Sequence, residues 1–139
     1  MSSIYSKITK INKQKVDKIE SELFILKSNI KKIKAEIADI YSSISTLAIP
    51  KQGEYKEVNV FRERRRLLNA QKERLLYDLE ANNSNLKKKQ LEYKKAKLEY
   101  EKIKHLEEQE IAKKLIKIKR DEQKELDEVS NMLFKRSEY

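Results

Sequence analysis

The 139-residue chain contains no cysteine and no tryptophan, and it has only one proline, one glycine and one histidine. Without cysteine, neither a disulfide framework nor a thiolate metal site can form. A single glycine excludes a glycine-rich loop that would bind a phosphate, and His105 has no second histidine or cysteine with which to share a metal ion. We therefore predict a protein that is not an enzyme, needs no cofactor or metal, and binds no small molecule.

Long apolar runs are also missing. No stretch approaches the roughly 20 apolar residues that a membrane span needs, and residues 1–15 lack the continuous apolar core of a signal peptide. We expect a soluble, cytosolic protein without direct membrane insertion. Because 38% of the residues are hydrophobic and 40% are charged, the chain can bury a narrow seam but not an ordinary globular core, as is typical of coiled coils.

The only proline and the only glycine lie close together, and the sequence on both sides of them is typical of helix. Pro50 cannot donate a helical hydrogen bond and pushes Ile49 toward an extended conformation. Gly53 can take a positive φ without steric cost, which lets the chain reverse. Two long helices with one such break most simply fold back on each other. The sequence therefore predicts an all-α fold, an antiparallel coiled-coil hairpin.

Heptad spacing sets the limits of the two helices. We predict helix one at about 4–48, a turn at 49–54 and helix two at about 55–136, together one domain over residues 1–139. In helix one the apolar positions alternate steps of three and four without an error: Val16, Ile19, Leu23, Leu26, Ile30, Ile33, Ile37, Ile40, Ile44 and Leu47. This period of 3.5 residues favours knobs-into-holes packing against one partner helix.

The seam is less regular elsewhere. Ile4, Ile8 and Ile11 keep the spacing but lie one residue out of phase, so we expect looser pairing there. Leu67 and Leu76 should widen the apolar stripe near the turn. Further along helix two, we expect charged side chains to lay their stems along the seam with their charges in water, and the asparagine to fix the register. The polar seam positions are Arg65, Lys72, Asn82 and Lys89.

Helix two is predicted to be much longer than helix one. At about 1.5 Å per residue the helices span about 67 and 120 Å, so helix one ends opposite about residue 100 and about 35 residues remain without an intramolecular partner. This tail is still amphipathic, with apolar residues at Leu106, Ile111, Leu115, Ile118, Leu126, Val129 and Leu133. An unpaired amphipathic helix favours a binding surface, either for another protein or for a second copy.

Positive charge is concentrated in the middle of the sequence. Residues 1–47 carry nine basic and five acidic groups, residues 48–104 carry sixteen and nine, and residues 105–139 carry eight and nine. The excess around the turn and in the first half of helix two is compatible with an anionic partner such as nucleic acid, lipid headgroups or an acidic protein surface. A solvated helix face in a lysine-rich protein would have the same composition.

The tail carries the most distinctive local sequence. It reads Arg-Asp-Glu-Gln-Lys-Glu-Leu-Asp-Glu at 120–128 and Met-Leu-Phe-Lys-Arg at 132–136. A basic helical hairpin of this length, ending in an E-Q-K-x-L-D-E motif and then an apolar, aromatic and basic segment, resembles the flagellar export protein FliJ family. Stalk components of injectisome secretion systems resemble it more loosely.

This resemblance implies a role without catalysis in type III protein export. The fold would be similar to the γ-subunit stalk of rotary ATPases, and the end with both termini would insert into the hexamer of the export ATPase and promote its assembly or activity. The chain would lie in the cytoplasm, peripheral at the membrane export apparatus. It would also contact the cytoplasmic domain of the export gate and could escort export chaperones.

The resemblance also assigns residues to these contacts. The residues that would face the ATPase are Gln123, Lys124, Leu126, Asp127, Glu128 and Phe134. Tyr41, Phe61 and Leu68 would contact the gate, with Tyr41 and Phe61 opposite each other near the turn. Arg65 and Lys72 depart from the pattern, because smaller or apolar residues are expected on this stripe.

Two other hypotheses stay open at this point. One is a basic coiled-coil arm that binds nucleic acid through Arg62–Arg66 and Lys87–Lys97, which a steep salt dependence of binding would favour. The resemblance makes nucleic acid the less favoured partner. The other is a homodimeric structural coiled coil in which the Pro-Gly break is only a kink. Such a dimer would approach about 200 Å in length, against about 120 Å for a monomeric hairpin.

Overall fold

The protein is described here from a computed structural model that covers residues 4–47 and 55–137. Within these ranges the chain forms two α-helices and no strand. Helix α1 spans Ile4–Ser45 and helix α2 spans Tyr55–Ser137. The predicted fold class, an all-α hairpin of two long helices that pack against each other, is confirmed. The expected turn with Pro50 and Gly53 lies outside the described residues.

Helix α1 ends at Ser45, three residues before the boundary expected from the sequence. The hydroxyl groups of Ser45 and Thr46 both donate to the carbonyl oxygen of Ser42, over 3.1 and 2.9 Å. Hydroxyl side chains that bond nearby carbonyl groups compete with the helical hydrogen-bond ladder and favour helix ends. The serine- and threonine-rich end of α1 therefore stops the helix before the proline is reached.

Two compact units make up the chain, Asp17–Lys95 and the combination of Met1–Val16 with Ala96–Tyr139. Within the first unit the helices are antiparallel, because Glu22 of α1 lies beside Lys89 of α2 whereas Tyr41 lies beside Lys72. The core of this unit is the buried cluster of Ile37, Ile40 and Leu75, against which four partly buried residues pack: Ile33, Ile44, Leu76 and Leu79.

The predicted seam of α1 within Asp17–Lys95 is buried or half-buried at every position, but α2 differs at two places. Arg65 and Leu67 are exposed, so the predictions that they belong to the seam are wrong. The register explains Arg65: Lys72 lies beside Tyr41, and two turns from Lys72 toward the N-terminus of α2 corresponds to a position beyond Ser45, where no helical turn of α1 remains. Leu67 is exposed because it lies one residue, about 100° around the helix, from the half-buried seam position Leu68.

Asn82 occupies its half-buried seam position without bonding to α1. Its Nδ2 donates to the carbonyl oxygen of Asp78, 2.8 Å away in the same helix. A cross-helix ion pair joins Lys89 Nζ and Glu22 Oε2 at 2.5 Å, and Lys89 also bonds Glu92 at 3.1 Å. The sequence predicts that Asn82 fixes the register, but the helices make polar contact through the ion pair of Glu22 and Lys89.

This ion pair makes stability depend on pH. The hydrogen bond from Lys89, helped by its charge, lowers the pKa of the Glu22 carboxyl below its ordinary value of 4.5. A carboxyl whose pKa is lowered by folding contributes stability above its unfolded pKa and loses it as the pH falls through the folded pKa. The pKa of Lys89 is raised, first by its hydrogen bond to Glu22, so its contribution is lost only in strong alkali.

We expect Glu22→Gln to lower the melting temperature at neutral pH by a few degrees at most, because the pair is partly exposed. The difference from the wild type should shrink below pH 4.5 and vanish once the carboxyl is protonated. Circular dichroism melts across this pH range measure the effect, with Glu20→Gln as the exposed control. A destabilisation by Glu22→Gln that persists unchanged in acid would contradict the assignment.

In the second unit, Val16 is buried and three polar residues continue its phase toward the N-terminus, the half-buried Ser6, Thr9 and Asn12. Ile4, Ile8 and Ile11 are exposed, as their shift in phase predicts. On α2 the half-buried positions are Ala96, Tyr100, Ile103, Glu107 and Glu110. The covered part of α2 thus ends near residue 110, whereas the sequence predicts an end near residue 100. Its last two half-buried positions, Glu107 and Glu110, are polar.

Candidate protein-binding surfaces

The C-terminal part of α2 has no covering element within its unit. Every described residue from Ile111 to Ser137 is exposed. Leu126, Val129 and Leu133 follow one another at steps of three and four, so they form one apolar stripe along the helix. We call residues 111–137 the tail and these three residues the tail stripe. The tail is a helix with an apolar side that faces solvent in the isolated chain.

The six residues assigned to the ATPase contact are all exposed on the tail, but they do not share one face. Successive residues of an α-helix differ by about 100°, so Lys124 and Leu126 lie on opposite sides. Gln123 falls about 60° from Leu126, Asp127 and Glu128 fall nearer to Lys124, and Phe134 lies midway between Leu126 and Lys124. The six residues together cover about 200° of the helix circumference, so a flat partner surface cannot contact all of them, whereas a partner that encloses the helix can.

Hydrogen bonding orders the polar residues beside the tail stripe. Gln123 Nε2 donates to Asp127 Oδ1 at 3.1 Å, which fixes both side chains along the helix. Lys124 and Glu128 are also four residues apart, yet no ion pair joins them in the described part of the chain. Val129 and Leu133, which the resemblance did not assign to the contact, complete the stripe around Leu126. Their apolar periodicity was the signal that could have included them.

The residues assigned to the gate contact lie in the other unit, Asp17–Lys95. Half of the Tyr41 side chain is exposed, and Lys72 Nζ lies 5.7 Å from the centre of its ring, within the range of a cation–π interaction. Phe61 and Leu68 are half-buried. The prediction that Phe61 lies opposite Tyr41 is wrong, since Lys72 occupies that position and Phe61 is about 16 Å further along α2. Leu68, one turn from Lys72, is the closer of the two to Tyr41.

Among residues 4–47 and 55–137, no group of three or more histidine, cysteine, aspartate or glutamate residues could hold a metal ion. Neither described helix contains a stretch long and apolar enough to cross a membrane. Two surfaces present exposed apolar or aromatic side chains: the tail, and the patch formed by Tyr41, Lys72 and Leu68.

Comparison with protein families identifies a match over nearly the whole chain. The family model described as "Flagellar FliJ protein" matches residues 2–139. No curated protein and no solved structure matches the chain. The family match covers both helices and the tail.

Proposed function

Since the chain belongs to the FliJ family of flagellar proteins and is thus a component of the flagellar type III export apparatus, we propose that it acts there as a stalk-like activator of the export ATPase. It performs no catalysis itself. It works in the cytoplasm, peripheral at the membrane export apparatus, and presents a long helix to which its partners bind. The observation that carries this proposal is the tail, a long helix whose apolar stripe is left uncovered.

Exposed apolar side chains along a helix are a recurrent means of binding another protein. Leu126, Val129 and Leu133 would bury their side chains in the ATPase hexamer, with Gln123 and Asp127 bonding at the edge of that contact. Because Lys124 and Glu128 lie on the opposite side of the same turns, a ring that encloses the tail would meet all of them. A central stalk in a hexameric ring satisfies this requirement, which a flat surface does not.

Stimulation of ATP hydrolysis tests this proposal. The cognate export ATPase is assayed alone and with increasing amounts of the intact chain, under conditions where the enzyme forms rings. We expect the rate to rise and then saturate as the tails occupy the rings. An ATPase whose rate and assembly are both indifferent to the intact chain would refute the proposed function.

We further propose that the patch of Tyr41, Lys72 and Leu68, together with Phe61, contacts the cytoplasmic domain of the export gate. Tyr41 supplies a half-exposed ring held beside a cation, and Leu68 supplies apolar surface next to it. Phe61 extends the contact toward the start of α2. Export chaperones are additional partners of this proposal, without assigned residues.

Tyr41→Ala should weaken binding of the purified gate domain roughly fivefold or more, since an aromatic anchor of an interface typically contributes about 1 kcal/mol or more. Tyr77→Ala is the matched control, because Tyr77 is exposed on α2 and lies outside the patch. Isothermal titration calorimetry with both variants gives the dissociation constants. Equal affinities for the two variants would remove Tyr41 from the gate contact.

A further inference from the structure

The first ten residues of the tail differ in character from the rest. Residues 111–120 contain five basic residues and no acidic one, a local charge of +5, together with four aliphatic residues. All ten residues are exposed. We call this stretch the basic amphipathic segment. Its aliphatic residues are Ile111, Leu115, Ile116 and Ile118, and its cations are Lys113, Lys114, Lys117, Lys119 and Arg120.

Helical geometry separates most of these side chains into two faces, and Ile116 is the exception because it falls on the side of Lys113 and Arg120. Ile111, Leu115 and Ile118 fall within about 60° of one another around the helix axis. Lys113, Lys117 and Arg120 fall on the opposite side. The other two lysines, Lys114 and Lys119, lie at the two borders between the faces. A long lysine side chain at such a border can lay its methylene groups along an apolar surface and keep its ammonium group in water.

The charges of this segment are almost uncompensated. Of its five cations only Lys114 makes an ion pair within the described residues, with Glu110 at 3.3 Å. Lys113 and Lys117 are four residues apart on one face, where like charges destabilise a helix. A stretch that keeps five cations together with exposed aliphatic residues is therefore suited to an anionic partner that also accepts apolar side chains.

We propose that the basic amphipathic segment docks on an anionic lipid surface. The helix lies parallel to the membrane plane, with Ile111, Leu115 and Ile118 against the acyl chains and the border lysines among the headgroups, the arrangement of an interfacial amphipathic helix. Nucleic acid would neutralise the cations but leave the aliphatic face in water. The segment ends where acidic residues begin at Asp121. An anionic membrane repels these carboxylates, so the contact of the helix stays at the membrane surface.

This inference is independent of the proposed ATPase contact, because the residues assigned to that contact begin at Gln123. It requires neither the ATPase nor the gate. Lipid docking would hold the chain at the membrane through residues 111–120, which lie just before the residues assigned to the ATPase contact. Attachment of this kind is weak and reversible, since about three aliphatic residues and five cations carry it.

Vesicle co-sedimentation of the full chain tests the inference. We expect binding to vesicles of equimolar phosphatidylglycerol and phosphatidylcholine, no binding to pure phosphatidylcholine, and release at high salt. The double variant Lys114→Gln/Lys119→Gln, which removes the two border lysines, should lower the partition coefficient by roughly tenfold or more, since each basic residue near an anionic surface contributes about fivefold. The control is Lys27→Gln/Lys32→Gln, two exposed lysines with the same spacing on α1.

The aliphatic face is tested separately with Leu115→Ser, which should weaken vesicle binding while leaving the helical circular dichroism unchanged. Leu98→Ser, also exposed on α2, is the control. The inference fails if the intact chain ignores anionic vesicles, or if the control variants lose as much binding as the test variants. It also fails if Leu115→Ser has no effect while duplex DNA binds in a salt-dependent manner, which would mark the segment as a nucleic-acid contact.

Discussion

Leu126→Asp should abolish the stimulation of ATP hydrolysis that we expect from the intact chain. Leu126 lies in the middle of the tail stripe and is 62% exposed in the isolated protein. An aspartate there would carry its charge into the apolar contact, where it has no partner and loses its hydration. Central residues of an interface contribute about 2 kcal/mol or more, so the concentration for half-maximal stimulation should rise by roughly 30-fold or beyond the measurable range.

Leu91→Asp is the matched control for this experiment. It makes the same chemical change in the same helix at a side chain that is 65% exposed, but outside the tail. Both variants should keep the helical content and melting temperature of the wild type, because neither side chain is buried between the helices. Full stimulation by Leu126→Asp, or equal loss by Leu91→Asp, would mean that the tail stripe is not the ATPase contact.

Ile40→Asp should unfold the pairing of α1 with α2 in the unit Asp17–Lys95. Ile40 is only 6% exposed and packs with Ile37 and Leu75 in the buried cluster. The substitution removes a large apolar side chain and leaves a carboxylate in its place, a loss of about 3–5 kcal/mol. A protein held by one narrow seam has little stability in reserve, since even ordinary domains have only about 5–15 kcal/mol.

Thermal melts followed by circular dichroism measure this effect, with Ile25→Asp as the control. Ile25 is on the same helix and is 59% exposed, so its replacement keeps the change in helix propensity without placing a charge in the core. We expect the control to melt within a few degrees of the wild type. Cooperative melting of Ile40→Asp at the temperature of the wild type would contradict the assignment of the core.

The heptad pattern of α1 was sufficient to predict the fold, because ten apolar positions without an error leave a single face to bury. It was not sufficient to predict the register. A seam that alternates steps of three and four packs similarly after a shift of several such steps, and the eleven residues from Phe61 to Lys72 are three of them, about 16 Å along the axis. The sequence alone does not fix how the segment 48–54 joins the helices, so it predicts Phe61 opposite Tyr41, where the structure has Lys72.

The early end of α1 also makes the seam of α2 shorter than its sequence predicts. The periodicity of α2 continues through Arg65, but the hydroxyl side chains at Ser45 and Thr46 end α1 before it can cover that position. The binding surfaces were harder to predict than the core. Motif resemblance identified the region of the tail and six of its residues, whereas the spread of those residues around the helix follows from helical geometry.

The polar seam of the unit that contains both chain ends has a consequence for its dynamics. Thr9 and Asn12 face α2 there instead of apolar residues, and the positions on α2 at the far end of the seam are Glu107 and Glu110. Little apolar surface is therefore exposed when residues 4–15 separate from α2, so the free energy of this local opening is small compared with that of unfolding the chain. The N-terminal part of α1 is thus only weakly bound to α2, and a partner can displace it. Residues 96–110 then become accessible for binding while the buried cluster around Leu75 stays intact.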